Sequence, residues 1–256
     1  MSIFRLLKFA ITSSSSSSSR WADLVLPCNV SESSCQDTPS HIRVSSRSPN
    51  SKPIAKKEYW FLFNIVKQRA PCNLLIFGWE PQYRHLAKIN AAGTTVVLED
   101  IPERIKQIRR PNSTRIYKVN YDTMAKDAYK LLTHAREEVA CAPNSGPVQT
   151  STCKLALTNL PNEVYTCKWD VIIVDGPSND GPEAPGRMTT IYTSSMIARA
   201  NNVTTNVVIH DADRMIEKWF SREFLCEDNL VSSKGRYWNF RIEGSEQLYS
   251  PSFCSQ

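Results

Sequence analysis

The sequence predicts an α/β, Rossmann-like domain built on a mostly parallel sheet with helices on both faces. Three observations predict it. Short, β-branched apolar runs alternate with segments of helical spacing, as a parallel sheet covered on both faces requires. The apolar runs are too uniformly hydrophobic to have a solvent face, as in Asn73–Phe77 and Trp169–Val174. Each run then stops at a polar or loop-forming group, where such sheets place their ligands, beyond the carboxyl ends of the strands.

The chain has 256 residues. Residues 1–55 are dominated by Ser, Pro and basic side chains, with seven consecutive serines at Ser13–Ser19, and are expected to be low-complexity or disordered. Ile3–Ile11 is apolar but interrupted by Arg5 and Lys8, short of the roughly 20 apolar residues of a membrane span. This segment reads as a degraded anchor, a truncated signal or an organelle transit peptide. Residues 56–245 are expected to form the folded domain, and residues 246–256 a tail.

Structure is expected to begin near Glu58, where Tyr59, Trp60, Phe61, Phe63, Ile65 and Val66 are too densely apolar for a loop and suggest a buried helix, or else a strand. Asn73–Phe77 is the first strand and ends at Gly78. Tyr83–Ala92 reads as a helix terminated by Gly93. Thr94–Leu98 is a second strand, closed by Glu99 and Asp100. Pro102–Arg109 has proline near a helical first turn, and Arg115–Val119 suits a third strand. Residues 123–139 look helical. Trp169–Val174 is the clearest buried strand and stops at Asp175-Gly176-Pro177. Met188–Arg199 follows as a helix, then Asn206–Ile209 as a strand ending in His210-Asp211. In Arg214–Phe220, Met215, Ile216, Trp219 and Phe220 predict one apolar helical face. Gly235–Ile242 alternates like a closing antiparallel strand.

The net charge of +6 mildly favours an acidic partner, such as an anionic surface or a uronic-acid polymer; no nucleic-acid partner is expected. Eight cysteines lack CxxC spacing, so a zinc ribbon or thioredoxin-type site is not predicted. Their even number, with sequons at Asn29, Asn112 and Asn202, suits an oxidising, glycosylating lumen.

A carboxylate at the end of a second strand, about 20 residues past the first glycine loop, sits where Rossmann-type folds hold ribose hydroxyls. Glu99 and Asp100 occupy that place, although acids at a helix start are also favoured by the dipole. The loop Phe77-Gly78-Trp79-Glu80-Pro81 has one glycine where a dinucleotide fingerprint needs three, which disfavours a nicotinamide-dependent oxidoreductase. Asp175 with His210-Asp211-Ala212-Asp213 brings an imidazole and carboxylates to two strand ends. They suit a general base that takes a hydroxyl proton, or a divalent cation site. A purely structural role is also open, with Asp213 capping the next helix and Asp211 paired to Arg214 or Arg187. Arg187, in Pro185-Gly186-Arg187-Met188, could grip a substrate carboxylate with both arms or be an ordinary surface residue. On the sequence alone, Asp175→Asn is expected to abolish activity and spare thermal stability.

Several segments, in this order and spacing, together resemble one family: Pro71–Gly78, Val97–Asp100, Trp169–Pro177, Ala184–Met188 with Ile191-Tyr192-Thr193, His210–Arg214 and Phe224–Glu227. The resemblance spans residues 56–243 and is to the plant polysaccharide-biosynthesis domain family. That family includes glucuronoxylan and arabinogalactan 4-O-methyltransferases and irregular-xylem proteins needed for xylan synthesis. It implies an S-adenosylmethionine-dependent methyltransferase fold and a Golgi type II membrane protein. Methyl transfer from S-adenosylmethionine to glucuronic acid side chains of xylan is the implied activity; a non-catalytic role in a Golgi xylan-synthesising assembly is the alternative. By resemblance, Gly78, Glu99 and Asp100 line the cofactor site, while Asp175, Arg187, His210 and Asp211 line the reaction cleft, with His210 or Asp175 as base and Arg187 holding the uronate. The methyltransferase members usually carry a second glycine two positions after the one matching Gly78, where this chain has Glu80. Their N-terminal anchor is not evident here, so membrane association through the N-terminus stays an expectation.

Overall fold

The computed structural model describes residues 54–108, 113–177, 181–200, 202–244 and 251–254. The low-complexity expectation for the N-terminal region, the sequons at Asn29 and Asn112 and most of the expected tail lie outside these residues. No described helix is long and apolar enough to cross a membrane.

The described strands form one seven-stranded sheet, β1 (Asn73–Phe77), β2 (Thr94–Glu99), β3 (Thr114–Lys118), β4 (Val171–Val174), β5 (Thr204–Ile209), β6 (Leu230–Lys234) and β7 (Tyr237–Glu243), in the order β3-β2-β1-β4-β5-β7-β6. The first five pair in parallel, and β7 runs antiparallel to both β5 and β6. This is the Rossmann-like methyltransferase arrangement expected, with the chain reversing direction across the sheet between β1 and β4.

The strands read as continuous apolar runs because both faces are covered. Successive side chains of a strand point to opposite faces, and here they feed two separate cores. Leu75 and Phe77, Val96 and Leu98, Ile172 and Val174, and Val207 and Ile209 join one core with helices α4 (Ala128–Glu137), α5 (Asn162–Thr166), α6 (Met188–Ala200) and α7 (Met215–Phe224). Leu74, Ile76, Val97, Val171, Ile173 and Val208 join the other, with α1 (Lys56–Arg69) and α2 (Tyr83–Ile89). A short α3 (Pro102–Gln107) follows β2.

Helix α5 has no expected counterpart, and β6 and α7 also differ from expectation. The hairpin strand β6 was not expected: Leu-Val-Ser-Ser-Lys is mostly exposed at the sheet edge, so no apolar alternation marks it. Helix α7 is rotated relative to the predicted apolar face. Phe220 and Phe224 are buried, but Met215 is 63% and Trp219 40% exposed, while Glu217 faces inward. Glu217 is drawn in by the charges of Arg187 and Arg214.

Disulfides join Cys141 to Cys153 and Cys226 to Cys254. The second clamps residues 251–254, part of the expected tail, onto α7. Phe253 packs edge-on against Tyr192 and Phe224, and the Arg199 guanidinium lies 5.3 Å from its ring centre. Cys72 is a buried free thiol whose pKa burial raises to about 12.

The ends of β1 and β4 touch backbone to backbone. Gly78 has φ +82°, and a Cβ there would sit 2.6 Å from the Gly176 nitrogen; a Cβ on Gly176 would sit 2.7 Å from the Gly78 nitrogen. Both contacts are too close for any side chain. Gly176→Ala is therefore expected to lower stability by roughly 2 kcal/mol or more through forced displacement of backbone. Chemical denaturation measures this, and an unchanged midpoint would show that the two strand ends part without cost.

Candidate functional site

The carboxyl ends of β4 and β5 bring Asp175 and His210 together because these strands are paired in register, with Val174 opposite Ile209. Asp175 is 5% and His210 6% exposed. One carboxylate oxygen of Asp175 meets His210 Nδ1 in a very short contact and also accepts from Arg187 Nη2 at 3.3 Å. Its other oxygen accepts from the Tyr83 hydroxyl at 2.5 Å. Tyr83 in turn lies 3.0 Å from the Tyr237 hydroxyl, and the Tyr237 ring stacks on His210 with centres 4.3 Å apart.

Burial by itself pushes the Asp175 carboxyl up. The attraction of His210, with Arg187 and the Tyr83 hydrogen bond, outweighs burial and holds it down at about 2. Asp175 is therefore an ionised acceptor, and it is unsuited to take a proton near neutral pH. An acceptor on that side puts the shared proton on His210 Nδ1. Nε2 is left as the open nitrogen: it is buried and makes no hydrogen bond among the described residues. Asp211 Oδ1 lies 3.5 Å from it. Of the two bases left open by the sequence, Asp175 is the ionised carboxylate that holds the ring, and His210 is the group with a nitrogen that makes no hydrogen bond among the described residues.

Asp211 has φ +54°, a left-handed conformation that costs energy in a non-glycine residue. It is held there by Arg187 at 3.1 Å, Arg236 at 2.8 Å and Arg214 at 3.5 Å. Burial pushes its carboxyl up, but Arg187 and the other cations prevail and hold it below its ordinary range. The expected pairing of Asp211 with Arg187 or Arg214 is present with both. The Asp213 cap is not formed: α7 has Arg214 as N-cap and no side-chain cap.

Arg187 is neither a surface residue nor an outward fork. It is 5% exposed, and its guanidinium also donates to the carbonyls of His210 at 2.8 Å and Pro177 at 3.4 Å. Its geometry suits ordering the cluster rather than gripping a uronate.

A divalent cation does not suit this donor set, which corrects that expectation. The carboxylate oxygens of Asp175 and Asp211 already face arginines and a tyrosine hydroxyl. Among the described residues, the grouping close enough to hold an ion is His134 with Cys141 and Cys153, and those two sulfurs are bonded to each other.

At the ends of β1–β3 the residues suit a polar nucleoside. Glu99 is fully buried; one oxygen accepts from Trp79 N–H at 2.8 Å, and the other from the N–H groups of Asp100 at 3.1 Å and Ile101 at 3.0 Å. Burial pushes its carboxyl up to about 7 despite the Ile101 N–H. Glu99 braces both strand-end loops and is itself covered. Asp100 Oδ1, Gln82 Oε1, the Tyr121 hydroxyl and the Thr123 hydroxyl are buried without a partner among the described residues. All four follow the ends of β1, β2 or β3, where a ligand's hydroxyl and amino groups would satisfy them. Trp79, bulky for a ligand loop, turns into the core edge-on to Tyr83 with ring centres 6.2 Å apart. Tyr83, Tyr237 and Tyr121 carry no motif in the sequence that singles them out.

Two outcomes follow for Asp175. Its folded-state pKa lies below the ordinary 3.8, so its stabilising contribution is full above about pH 4 and is lost as pH falls toward 2; acid denaturation of wild type against Asp175→Asn measures this. The substitution also strands the buried Arg187 guanidinium, so it is expected to cost about 3 kcal/mol or more. A lowered thermal midpoint is thus expected in place of an unchanged one.

Residues 57–240 match the IRX15/IRX15L/GXM family. Arabinogalactan O-methyltransferase 2 of Arabidopsis thaliana is 41% identical over 190 residues, 72% of this chain and 65% of that protein. Glucuronoxylan 4-O-methyltransferase 1 of the same plant is 38% identical over 208 residues, 77% of this chain and 72% of that one. Protein IRREGULAR XYLEM 15 is 34% identical over 222 residues, 84% of this chain and 68% of that one. The chain thus spans just under two thirds of the length of the first of these relatives. A solved methyltransferase-like protein from Silicibacter pomeroyi is similar over 78% of this chain and 91% of its own, with a TM-score of 0.42 at 13% identity. On the match over residues 57–240 and these identities, the chain belongs to the IRX15/IRX15L/GXM family.

Proposed function

We propose that the chain is an S-adenosylmethionine-dependent O-methyltransferase acting on the 4-hydroxyl of glucuronic acid side chains of xylan or a related acidic wall polysaccharide. The observation that carries the reading is His210: its Nδ1 is held by an ionised Asp175 and its Nε2 is buried and open. A hydroxyl oxygen is a poor nucleophile while it keeps its proton. Nε2 can accept that proton as the oxygen attacks, and Asp175 stabilises the imidazolium that forms. Arg187 and Tyr83 keep Asp175 ionised and aligned, and Tyr237 fixes the ring plane from one face.

The cofactor would supply an electrophilic methyl group. Asp100, Tyr121, Thr123 and Gln82 offer it unpartnered polar atoms, and the Gly78–Gly176 contact keeps side chains out of the switch point. The relatives named as methyltransferases of glucuronoxylan and arabinogalactan support the polysaccharide as acceptor. The burial of Trp79 in the core turns its bulk away from a cofactor, while Glu80, where the methyltransferases carry the second glycine, is half-buried. A Golgi lumen suits the Cys141–Cys153 and Cys226–Cys254 disulfides and the exposed sequon at Asn202.

Calorimetry is expected to show S-adenosylmethionine binding to the folded protein, and labelled methyl groups are expected to pass to glucuronoxylan. No binding and no transfer would sink the reading in favour of a non-catalytic assembly role. His210→Gln is expected to lower kcat about 100-fold with a small change in KM, measured by the same assay at saturating cofactor.

A further inference from the structure

Beside the His210 cluster lies a cavity of about 210 Å³, bounded by Pro177, Pro185, Gly186 and Arg187 before α6 and by Arg214, Met215, Ile216 and Glu217 at the start of α7. Arg187 belongs to both the cavity wall and the cluster. Arg214 reaches Asp211 at 3.5 Å, and Asp211 lies 3.5 Å from His210 Nε2, so Asp211 links the cavity wall to that nitrogen. Its far wall is fixed in advance. The loop before α6 is pinned by Ala125 N–H to the Ala184 carbonyl and Lys126 N–H to the Pro182 carbonyl, both 2.9 Å, and by Gly186 N–H to the Thr123 carbonyl at 3.2 Å.

The lining is mixed in the way a pyranose ring is mixed. Pro177, Pro185, Met215 and Ile216 offer apolar surface to ring C–H groups, and Arg214 and Glu217 offer charge to hydroxyl and carboxylate edges. The Arg214 side chain is 42% exposed, whereas Arg187 is turned inward. Met215 and Trp219, one helical turn apart, continue an exposed apolar strip along α7. Charges at the start of α7 draw Glu217 inward, and this same rotation exposes the strip.

We infer that this cavity is the acceptor subsite for the sugar carrying the reacting hydroxyl, that Arg214 opposes its carboxylate, and that Trp219 stacks on a neighbouring sugar of the same polymer. The inference rests on the uronate-bearing acceptor proposed above and adds the residues that recognise it. Arg214, not Arg187, is then the cation that selects acidic side chains.

The test is saturation-transfer NMR titration of the full chain with a xylo-oligosaccharide bearing one glucuronic acid, and with the same oligosaccharide after reduction of its carboxyl group to a hydroxymethyl. Arg214→Gln is expected to weaken the acidic probe about tenfold, the scale of one lost charged hydrogen bond, and the reduced probe less than twofold. Arg214→Lys should restore most of the acidic preference. Trp219→Ala should weaken both probes alike, about tenfold. Asp211 keeps Arg187 and Arg236 in the Arg214 variants, so they should fold, which circular dichroism checks. Equal weakening of both probes by Arg214→Gln, or none, would overturn the assignment. Arg214-dependent binding by a wild-type chain that transfers no methyl group would uphold the subsite and sink only the proposed activity.

Discussion

A carboxylate taken out of water at the end of β4 sets the terms for everything around it. Asp175 cannot stay ionised in that position unless cations and donors surround it, and the fold supplies them from four different elements. His210 comes from the end of β5, Arg187 from the loop before α6, Tyr83 from α2 and, behind it, Tyr237 from β7. Each partner has its own obligations. Arg187 also holds Asp211 and two carbonyls, and Asp211 is shared with Arg236, whose backbone N–H donates to Glu58 of α1 at 2.8 Å. The cluster therefore ties the first described helix and the last strand to the switch point of the sheet.

Structural and catalytic roles are not alternatives here. The arginine pairs around Asp211 satisfy the structural reading of that residue, and they hold it beside the imidazole. Asp175 and Asp211 are both partnered, and His210 Nε2, 3.5 Å from Asp211 Oδ1, makes no hydrogen bond among the described residues. Buried polar atoms in native proteins almost always find partners, which is why the proposed proton transfer is placed at this nitrogen.

Much of the frame was legible from residues 73–119 and 169–209 because parallel strands must be apolar on both faces, and such runs are conspicuous. Strand-end chemistry was legible for the same reason: Asp175, His210 and Asp211 stand immediately where those runs stop. What escaped notice depends on tertiary charge or on edge position. Strand β6 has no buried face to mark it. Helix α7 carries the right apolar residues for one orientation and takes another, since the charges gathered at its start outrank two apolar side chains. Arg187 looked available because sequence position reveals where a side chain starts, not which carboxylates it reaches. Tyr83 and Tyr237 are indistinguishable in sequence from any buried aromatic, and only their hydroxyls' partners separate them.

The glycine loop shows most directly how sequence comparison and geometry part ways. A ligand loop with a second glycine is one way to keep side chains away from a bound nucleoside. In this chain the close approach at the switch point is between Gly78 and Gly176, which come from different strands. The residues after Gly78 are then free to be large, provided they leave the cleft. Trp79 does so by entering the α1–α2 core, while its N–H answers Glu99. Glu99 in turn gives up its own exposure to close two loops, which leaves Asp100, with its unpartnered oxygen, as the carboxylate that can face a ligand.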